Sequence, residues 1–507
     1  MTRYRHLITD DNRKWWTLGA MCFALFMVML DNTVVNVALP SIQRDLHAQI
    51  SALEWVINGY TLTFAVLIAT GGRLGDIFGR RLMFLAGVVI FAVTSATAGL
   101  AQDPAMLIAS RAIQGIGAAL MMPATLSIIT HAFPAAERGK AIGTWAGVSA
   151  LALSIGPVVG GFLTEYVSWR AIFFINLPVA AGAVIATIFA VRESRDETVD
   201  RQVDYPGVVA LTASLTAIVL ALIEGNSWGW GSPGVLGLLI GGAIGLAAFA
   251  AIELRVAAPM VEFGLFRTRQ FIGSNLVAFI ITFAMMGTFF FMAIYMQDIL
   301  GYGALEAGIR FLPTTMVIAV VAPISGRLAD RLGPATPMSA GLAVLAVSMF
   351  LFAGIDTATT YSALIVPFVL MGFGIALVMS PMSTAAMNAV SVQKSGVASG
   401  VLQMSRMIGA SVGVAATGAI FQAQLGSGFD PGQLATAPEQ ARATFVDALG
   451  SAMLLAALVV VAGLVVSLTL VRGARARRAD TRTAAEESAA AVPEAAAAEE
   501  ATEAVAA

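Results

Sequence analysis

The chain has 507 residues, 58% of them hydrophobic and 12% charged, with mean hydropathy +0.83 and formal net charge −2. With glycine included, about two-thirds of the chain is apolar against the about 45–50% of a soluble domain, which places it in the polytopic membrane class. One cysteine, Cys22, and three scattered histidines, His6, His47 and His131, exclude a disulfide framework, a cysteine metal site and an HExxH pair, and the charge balance offers no basic field for nucleic acid.

Apolar runs of about 20 residues, enough to cross about 30 Å of hydrocarbon as helix, number fourteen. In chain order they lie near 15–39, 52–72, 82–101, 104–130, 139–163, 170–191, 206–224, 234–254, 270–298, 304–327, 335–355, 361–388, 395–424 and 443–471. The first run continues too far, and lacks a small-residue cleavage site, for a removable signal peptide. The fold class expected is an all-α membrane protein of two six-helix bundles with two inserted helices. Its parts are a cytoplasmic N-terminus (1–14), a first bundle (15–191), a charged cytoplasmic linker (192–205), two additional helices with a loop (206–269), a second bundle (270–471) and an Ala/Glu-rich cytoplasmic tail (472–507).

Charge placement supports the crossing count, because basic residues gather in cytoplasmic loops. With the N-terminus inside, 23 of the 29 Lys and Arg residues fall on the cytoplasmic side and three, Arg44, Arg170 and Arg442, on the outer side. Arg111, Arg310 and Arg406 remain inside spans. The segment Gly72 to Asp76 (GRLGD) returns as Gly326 to Asp330 (GRLAD), each after the second helix of a six-helix block. Such repeated bundles with a site between them are a common transporter architecture.

At about 100° per residue, Asp31, Asn32 and Asn36 share one side of helix 1, which can face protein or water. A carboxylate at that depth is costly and points to function, here proton carriage; a structural acid held by an arginine is the alternative. Arg111 on helix 4 is the candidate partner, since Asp31 and Arg111 lie about 13 and 10 Å below their outer helix ends. Glu54 and Glu224, at outer helix ends, read as rim carboxylates and reserve proton carriers. Arg406, about 16 Å into helix 13, either shapes substrate choice or anchors neighbouring carbonyls. Glu306 and Arg310 read as a surface i, i+4 pair. Gly156, Gly160 and Gly161 permit close helix approach, and Pro157 can bend helix 5. Among the phenylalanines and methionines of 283–296, Phe289 is a cavity candidate together with Asn32, Asn36, Gln114 and Arg406.

These residues resemble the fourteen-helix drug:proton antiporters of the major facilitator superfamily over about 15–471. The segment LDNTVVNVALP from Leu30 is similar to the family's first-helix acidic motif, and GRLGDIFGRR from Gly72 to the loop between helices 2 and 3. RAIQGIG from Arg111 is similar to the helix 4 motif and GPVVGG from Gly156 to the antiporter motif of helix 5. WRAIFFINLP from Trp169 and QDILGY from Gln297 are lesser matches. The resemblance implies a cytoplasmic gate of Gly72, Asp76, Gly79, Arg80, Arg81 and Glu137. In it Asp76 meets the start of the helix near Ser395, and Glu137 neighbours Arg80. It implies proton-coupled export of lipophilic drugs or antibiotics across the cytoplasmic membrane by a monomer in the lipid bilayer, without cofactor or metal. The alternative is an uptake symporter or uniporter for a small metabolite. An enzyme is not expected, because no nucleophile elbow, P-loop or metal triad is present.

Overall fold

The computed structural model describes residues 12–195, 204–256, 261–390, 395–425 and 439–471, with 9 and 259; most of the charged linker, Lys394 and the tail lie outside the described residues. Among the described residues, fourteen helices are long and apolar enough to span a bilayer. The first six are α1 (Arg13–Leu46), α2 (Ile50–Phe78), α3 (Arg80–Gly99), α4 (Pro104–Ala132), α5 (Ala135–Tyr166) and α6 (Ala171–Ala190). Next come α7 (Tyr205–Trp228), α8 (Pro233–Glu253), α9 (Arg269–Ile299), α10 (Ala304–Ala329) and α11 (Ala335–Ala353). The last three are α12 (Tyr361–Asn388), α13 (Ser395–Leu425) and α14 (Glu439–Leu470). No strand occurs among the described residues.

Several helix starts are written locally. Asp103 accepts from Met106 N at 2.8 Å, Asp204 from Gly207 N at 2.8 Å and Ser232 from Val235 N at 3.3 Å, each with a proline in the first turn. A capping side chain and a proline that needs no amide partner satisfy the same orphan donors. Between α2 and α3 only Gly79 intervenes, at φ +116°, a conformation that an L side chain would strain.

Helices α1–α6 form one bundle and α9–α14 another. The pairings α2–α4, α3–α4, α1–α5, α1–α6 and α3–α6 have counterparts in α10–α12, α11–α12, α9–α13, α9–α14 and α11–α14. The small-residue crossing is repeated too: a Cβ on Gly87 would stand 2.6 Å from Gly117 O, and one on Gly341 2.8 Å from Gly374 O. Backbones this close gain dispersion contact that larger residues would forbid. The bundles meet through α2–α13, α5–α10 and α1–α9, pairs related by the same exchange, while α7 and α8 pack on each other and α7 leans on α13 and α2. Large apolar side chains remain exposed around the perimeter, among them Val93, Ile185, Ile244, Leu458 and Leu468. That surface suits lipid.

The Phe/Met run of 283–296 lies on α9, which is enclosed by α13, α14, α12 and α1. Its aromatic and methionine side chains are buried apart from the partly exposed Met285. They fill the second bundle's core on every side, and few are left to line an open cavity.

Candidate functional site

The first bundle holds a polar centre inside an otherwise apolar interior. Asp31 of α1 is fully buried, and Arg111 of α4 is 2% exposed. Arg111 Nη1 donates to Asp31 Oδ2 at 2.5 Å and to Gln114 Oε1 at 2.7 Å, while Nε donates to Val56 O at 3.2 Å. Gln114, one turn along the same face of α4, donates to Asp31 Oδ1 at 3.2 Å, as does Asn176 of α6 at 3.2 Å. The guanidinium lies 4.3 Å from the Tyr60 ring centroid. Removing two charges from water is costly, and the pair is stable only if the remaining lone pairs and protons find partners. Here both carboxylate oxygens do.

Asn176 was not among the candidates, although it lies in the WRAIFFINLP segment. Its Nδ2 also donates to Ser95 Oγ at 2.9 Å, and Ser95 Oγ donates to Phe173 O at 2.8 Å, so the network runs through α1, α4, α6 and α3. An asparagine at the start of an apolar segment signals a cap in sequence; only the packing of α6 on α1 brings it to the carboxylate.

The other cavity candidates separate. Asn36 and Phe289 line a small void of about 10 Å³ with Thr33, Val37, Pro157 and Phe311. Drug-sized sites usually need about 300–1,000 Å³. Gln114 belongs to the Asp31 network, and Asn32 Nδ2 turns back to Val28 O at 2.9 Å. Arg406 stands apart on α13. Its Nη1 donates to Gln403 Oε1 at 3.3 Å, and its Nε is buried without a partner. No bond from its side chain to a carbonyl is present among the described residues, and it is its own carbonyl that accepts from Thr282 Oγ1 at 2.7 Å.

The antiporter-like glycines of α5 sit on two seams at once. A Cβ on Gly156 would lie 1.8 Å from Thr33 Oγ1, and one on Gly160 2.8 Å from Val34 Cα, against α1. On the other side, one on Gly161 would lie 2.5 Å from Ala304 O, and Gly308 of α10 abuts Pro157 O. Among the described residues, inter-bundle hydrogen bonds gather from mid-height to the end remote from Arg13, called the far end. Gln297 Nε2 donates to Val37 O at 2.8 Å, Ser411 Oγ to Asn58 Oδ1 at 2.8 Å, Leu305 N to Glu165 Oε2 at 2.8 Å and Ser154 Oγ to Thr315 O at 3.2 Å. Arg44 and Asp298 add an ion pair at 3.6 Å.

Glu54 differs from its sequence reading as a rim carboxylate. It is fully buried in the α2–α13 seam, where Oε1 accepts from Gln422 Nε2 at 2.9 Å and Oε2 has no partner. Gly418 makes the room, since a Cβ there would stand 2.0 Å from Oε1. Counting residues from a helix end measures depth along the axis and misses sideways cover by a neighbouring helix. Glu224 is partly exposed and accepts from Ser227 Oγ at 2.7 Å. Glu306 and Arg310 form the expected i, i+4 pair, with the guanidinium 3.8 Å from the Tyr302 ring and 4.2 Å from that of Tyr361.

The loop between α2 and α3 is tied within its own bundle. Asp76 accepts from Arg80 Nε at 3.1 Å and Nη2 at 2.9 Å. Glu193, after α6, receives the first free amides of α3, Arg81 N at 2.9 Å and Leu82 N at 3.2 Å, and Arg81 Nη2 reaches Ile188 O at 3.0 Å. Gly79 faces this carboxylate, and Gly72 abuts Pro123. Glu137 is not the neighbour of Arg80: it pairs with Lys14 at 2.6 Å, because α5 packs on α1 and brings its first turn to the start of that helix. The expected partner of Asp76, the first turn of α13, has its side chains at 395 and 396 outside the described residues, as is that of Asp330 in the second loop copy.

Residues 21–414 match the Major Facilitator Superfamily. The chain is 35% identical over 417 residues to the tetracenomycin C resistance and export protein of Streptomyces glaucescens, an alignment covering 82% of this chain and 78% of the relative. It is 38% identical over 410 residues to a puromycin resistance protein of Streptomyces alboniger (80% and 81% covered) and 36% identical over 417 residues to the multidrug resistance protein Stp of Mycobacterium tuberculosis (82% and 77%). Among solved structures, a bacterial homolog of the human lysosomal transporter Spinster superposes with TM-score 0.64 at 18% identity, covering 90% of this chain and 98% of that one. With the repeated six-helix bundles, two inserted helices and fourteen spans described above, these matches show that the chain belongs to the major facilitator superfamily of membrane transporters.

Proposed function

We propose that this protein exports lipophilic small molecules, antibiotics or other toxic compounds, across the cytoplasmic membrane in exchange for protons, by alternating access between its two bundles. The observation that carries the reading is the buried Asp31–Arg111 pair at mid-depth, closed by Gln114 and Asn176. A proton on Asp31 would neutralise the carboxylate and release Arg111, so protonation is coupled to how α1 and α4 pack. The far-end bonds between bundles fit a state closed on that side, and the charge census makes that side the outer one. Exporter names among relatives favour export over uptake by symport or uniport. Glu54 is the second proton-exchange group, since opening the α2–α13 seam wets it. Cytoplasmic termini and function as a monomer belong to the same reading.

The experiment is accumulation of fluorescent lipophilic compounds in inverted membrane vesicles with the proton gradient imposed or collapsed. Gradient-dependent accumulation by the parent chain is expected. Accumulation indifferent to the gradient, or substrate movement only in the opposite direction, would replace antiport with the uptake reading.

A further inference from the structure

Arg406 is a charged residue inside a membrane span and forms no ion pair among the described residues. It lies about 16 Å along α13 from Ser395, near mid-depth. Gln403 is its only side-chain hydrogen-bond partner among the described residues, and its Nε is buried without one. Arg111, the other cation at this depth, is charge-paired with Asp31 and bonded to Gln114 and Val56 O. Asp31 is fully buried with a partner on each oxygen, so it offers a cationic ligand no open oxygen in this state. Glu54 and Asp298, each with a buried oxygen lacking a hydrogen-bond partner, lie towards the far end, and Asp298 is already ion-paired with Arg44. A lone guanidinium in a membrane interior is costly, and the cost is offset when an anion brings its own negative charge.

The position also fits a pathway. Gln403 and 405–408 of α13 are partly exposed, whereas 409–411 and 413–415 are buried and Ser411 is bonded to Asn58 across the seam. Arg406 therefore stands where the accessible half of α13 meets the closed half. One turn along, Gly409 is seated on the Phe279 carbonyl of α9, and the Phe279 side chain is partly exposed. A planar fork of donors on a partly exposed stretch of an otherwise apolar helix matches a carboxylate or phenolate carried on an apolar body.

We propose that Arg406, with Gln403, is an anion subsite of the transport pathway and that the substrates include lipophilic acids; this rests on the export reading for its transport consequence. The test uses the purified full chain in phosphatidylcholine nanodiscs with three probes of one shape: anthracene-9-carboxylate, its carboxamide, and the (anthracen-9-ylmethyl)trimethylammonium cation. The parent is expected to bind the carboxylate about tenfold more tightly than the carboxamide. Arg406→Gln should erase that preference while leaving carboxamide affinity unchanged, and Arg406→Lys should restore part of it.

A parent without the preference, a preference surviving in Arg406→Gln, or equal loss of carboxylate and carboxamide binding overturns the assignment. Repeating the titration with phosphatidylglycerol present separates the two sources of an anion: loss of the preference there gives the site to lipid headgroups and removes the substrate role. Gradient-driven accumulation of the probes in inverted vesicles is scored separately. Failure to move any of them counts against export while the binding result still judges the subsite.

Discussion

At the scale of single residues, Asp31 and Arg111 form a unit whose halves are unequal when one is removed. Truncating Arg111 to Ala leaves a buried carboxylate without its cation and should cost about 3–5 kcal/mol, whereas Asp31→Asn removes the charge, keeps one acceptor oxygen and replaces the other with an NH2 donor. The expected outcome is that Arg111→Ala lowers thermal stability in detergent and that adding Asp31→Asn to it recovers much of the loss, a coupling that a double-mutant cycle measures. Equal destabilisation with and without Asp31→Asn would show that Arg111 acts through Val56 and the Tyr60 ring instead. In transport, Asp31→Asn alone should abolish gradient-driven efflux and retain substrate binding. Full proton-driven efflux by this variant moves coupling to Glu54, whose Oε2 has no partner in the α2–α13 seam. The sequence made Asp31 and Arg111 legible because charge inside an apolar run is rare. It left Asn176 and the burial of Glu54 illegible, because both depend on which helix lies alongside.

At the scale of elements, α5 is the helix whose chemistry is almost wholly steric. Gly160 faces Val34 on α1, and Gly161 faces Ala304 and Leu305 on α10, so α5 carries the join between bundles. A valine at 160 would meet the Val34 backbone, which cannot yield as a side-chain tip can. Gly160→Val is expected to separate α5 from α1 and to reduce transport about tenfold or more, with overpacking costing about 1–3 kcal/mol. A disulfide-trapping pair placed at Val37 and Gln297 would read the state of the far end, and undiminished transport with normal trapping would remove α5 from the mechanism.

The loop before α3 offers a contrasting element. The half-exposed Asp76–Arg80 pair is worth little in this state, about 0.3–0.5 kcal/mol for an exposed i, i+4 pair. Asp76→Asn should therefore leave stability nearly unchanged and still slow transport, through the conformation in which Asp76 meets the start of α13. Equal transport rates for variant and parent would end that role. Glu193→Ala should instead destabilise by about 1 kcal/mol, since it frees the amides of Arg81 and Leu82; an unchanged melting temperature would show that water replaces it without loss.

At the scale of the molecule, the fourteen spans among the described residues put both ends of the described chain on one side, and the arginine asymmetry supports the proposal that this side is cytoplasmic. In a Cys22→Ala background, a cysteine at Gly229, between α7 and α8, should react with an impermeant thiol reagent from outside intact cells. A cysteine at Thr198, outside the described residues, should react only after permeabilisation. The reversed pattern would invert the protein.

The sequence by itself determined the membrane class, the fourteen crossings, the repeated halves and the depth of Asp31, Arg111 and Arg406. These follow from composition, run length and rise per residue, all properties of one helix at a time. Only the tertiary structure decided that Gln114 and Asn176 complete the Asp31 network, that Glu54 is sealed by Gly418 and Gln422, that Glu137 serves Lys14 and that Arg406 is bonded to Gln403 and forms no ion pair among the described residues. Periodicity fixes which residues share a face of a helix, but nothing in it names the helix opposite. That choice is made by close packing of small residues between helices distant in the chain, such as Gly160 on Val34 and Gly161 on Ala304, and the partners of every buried polar group follow from it.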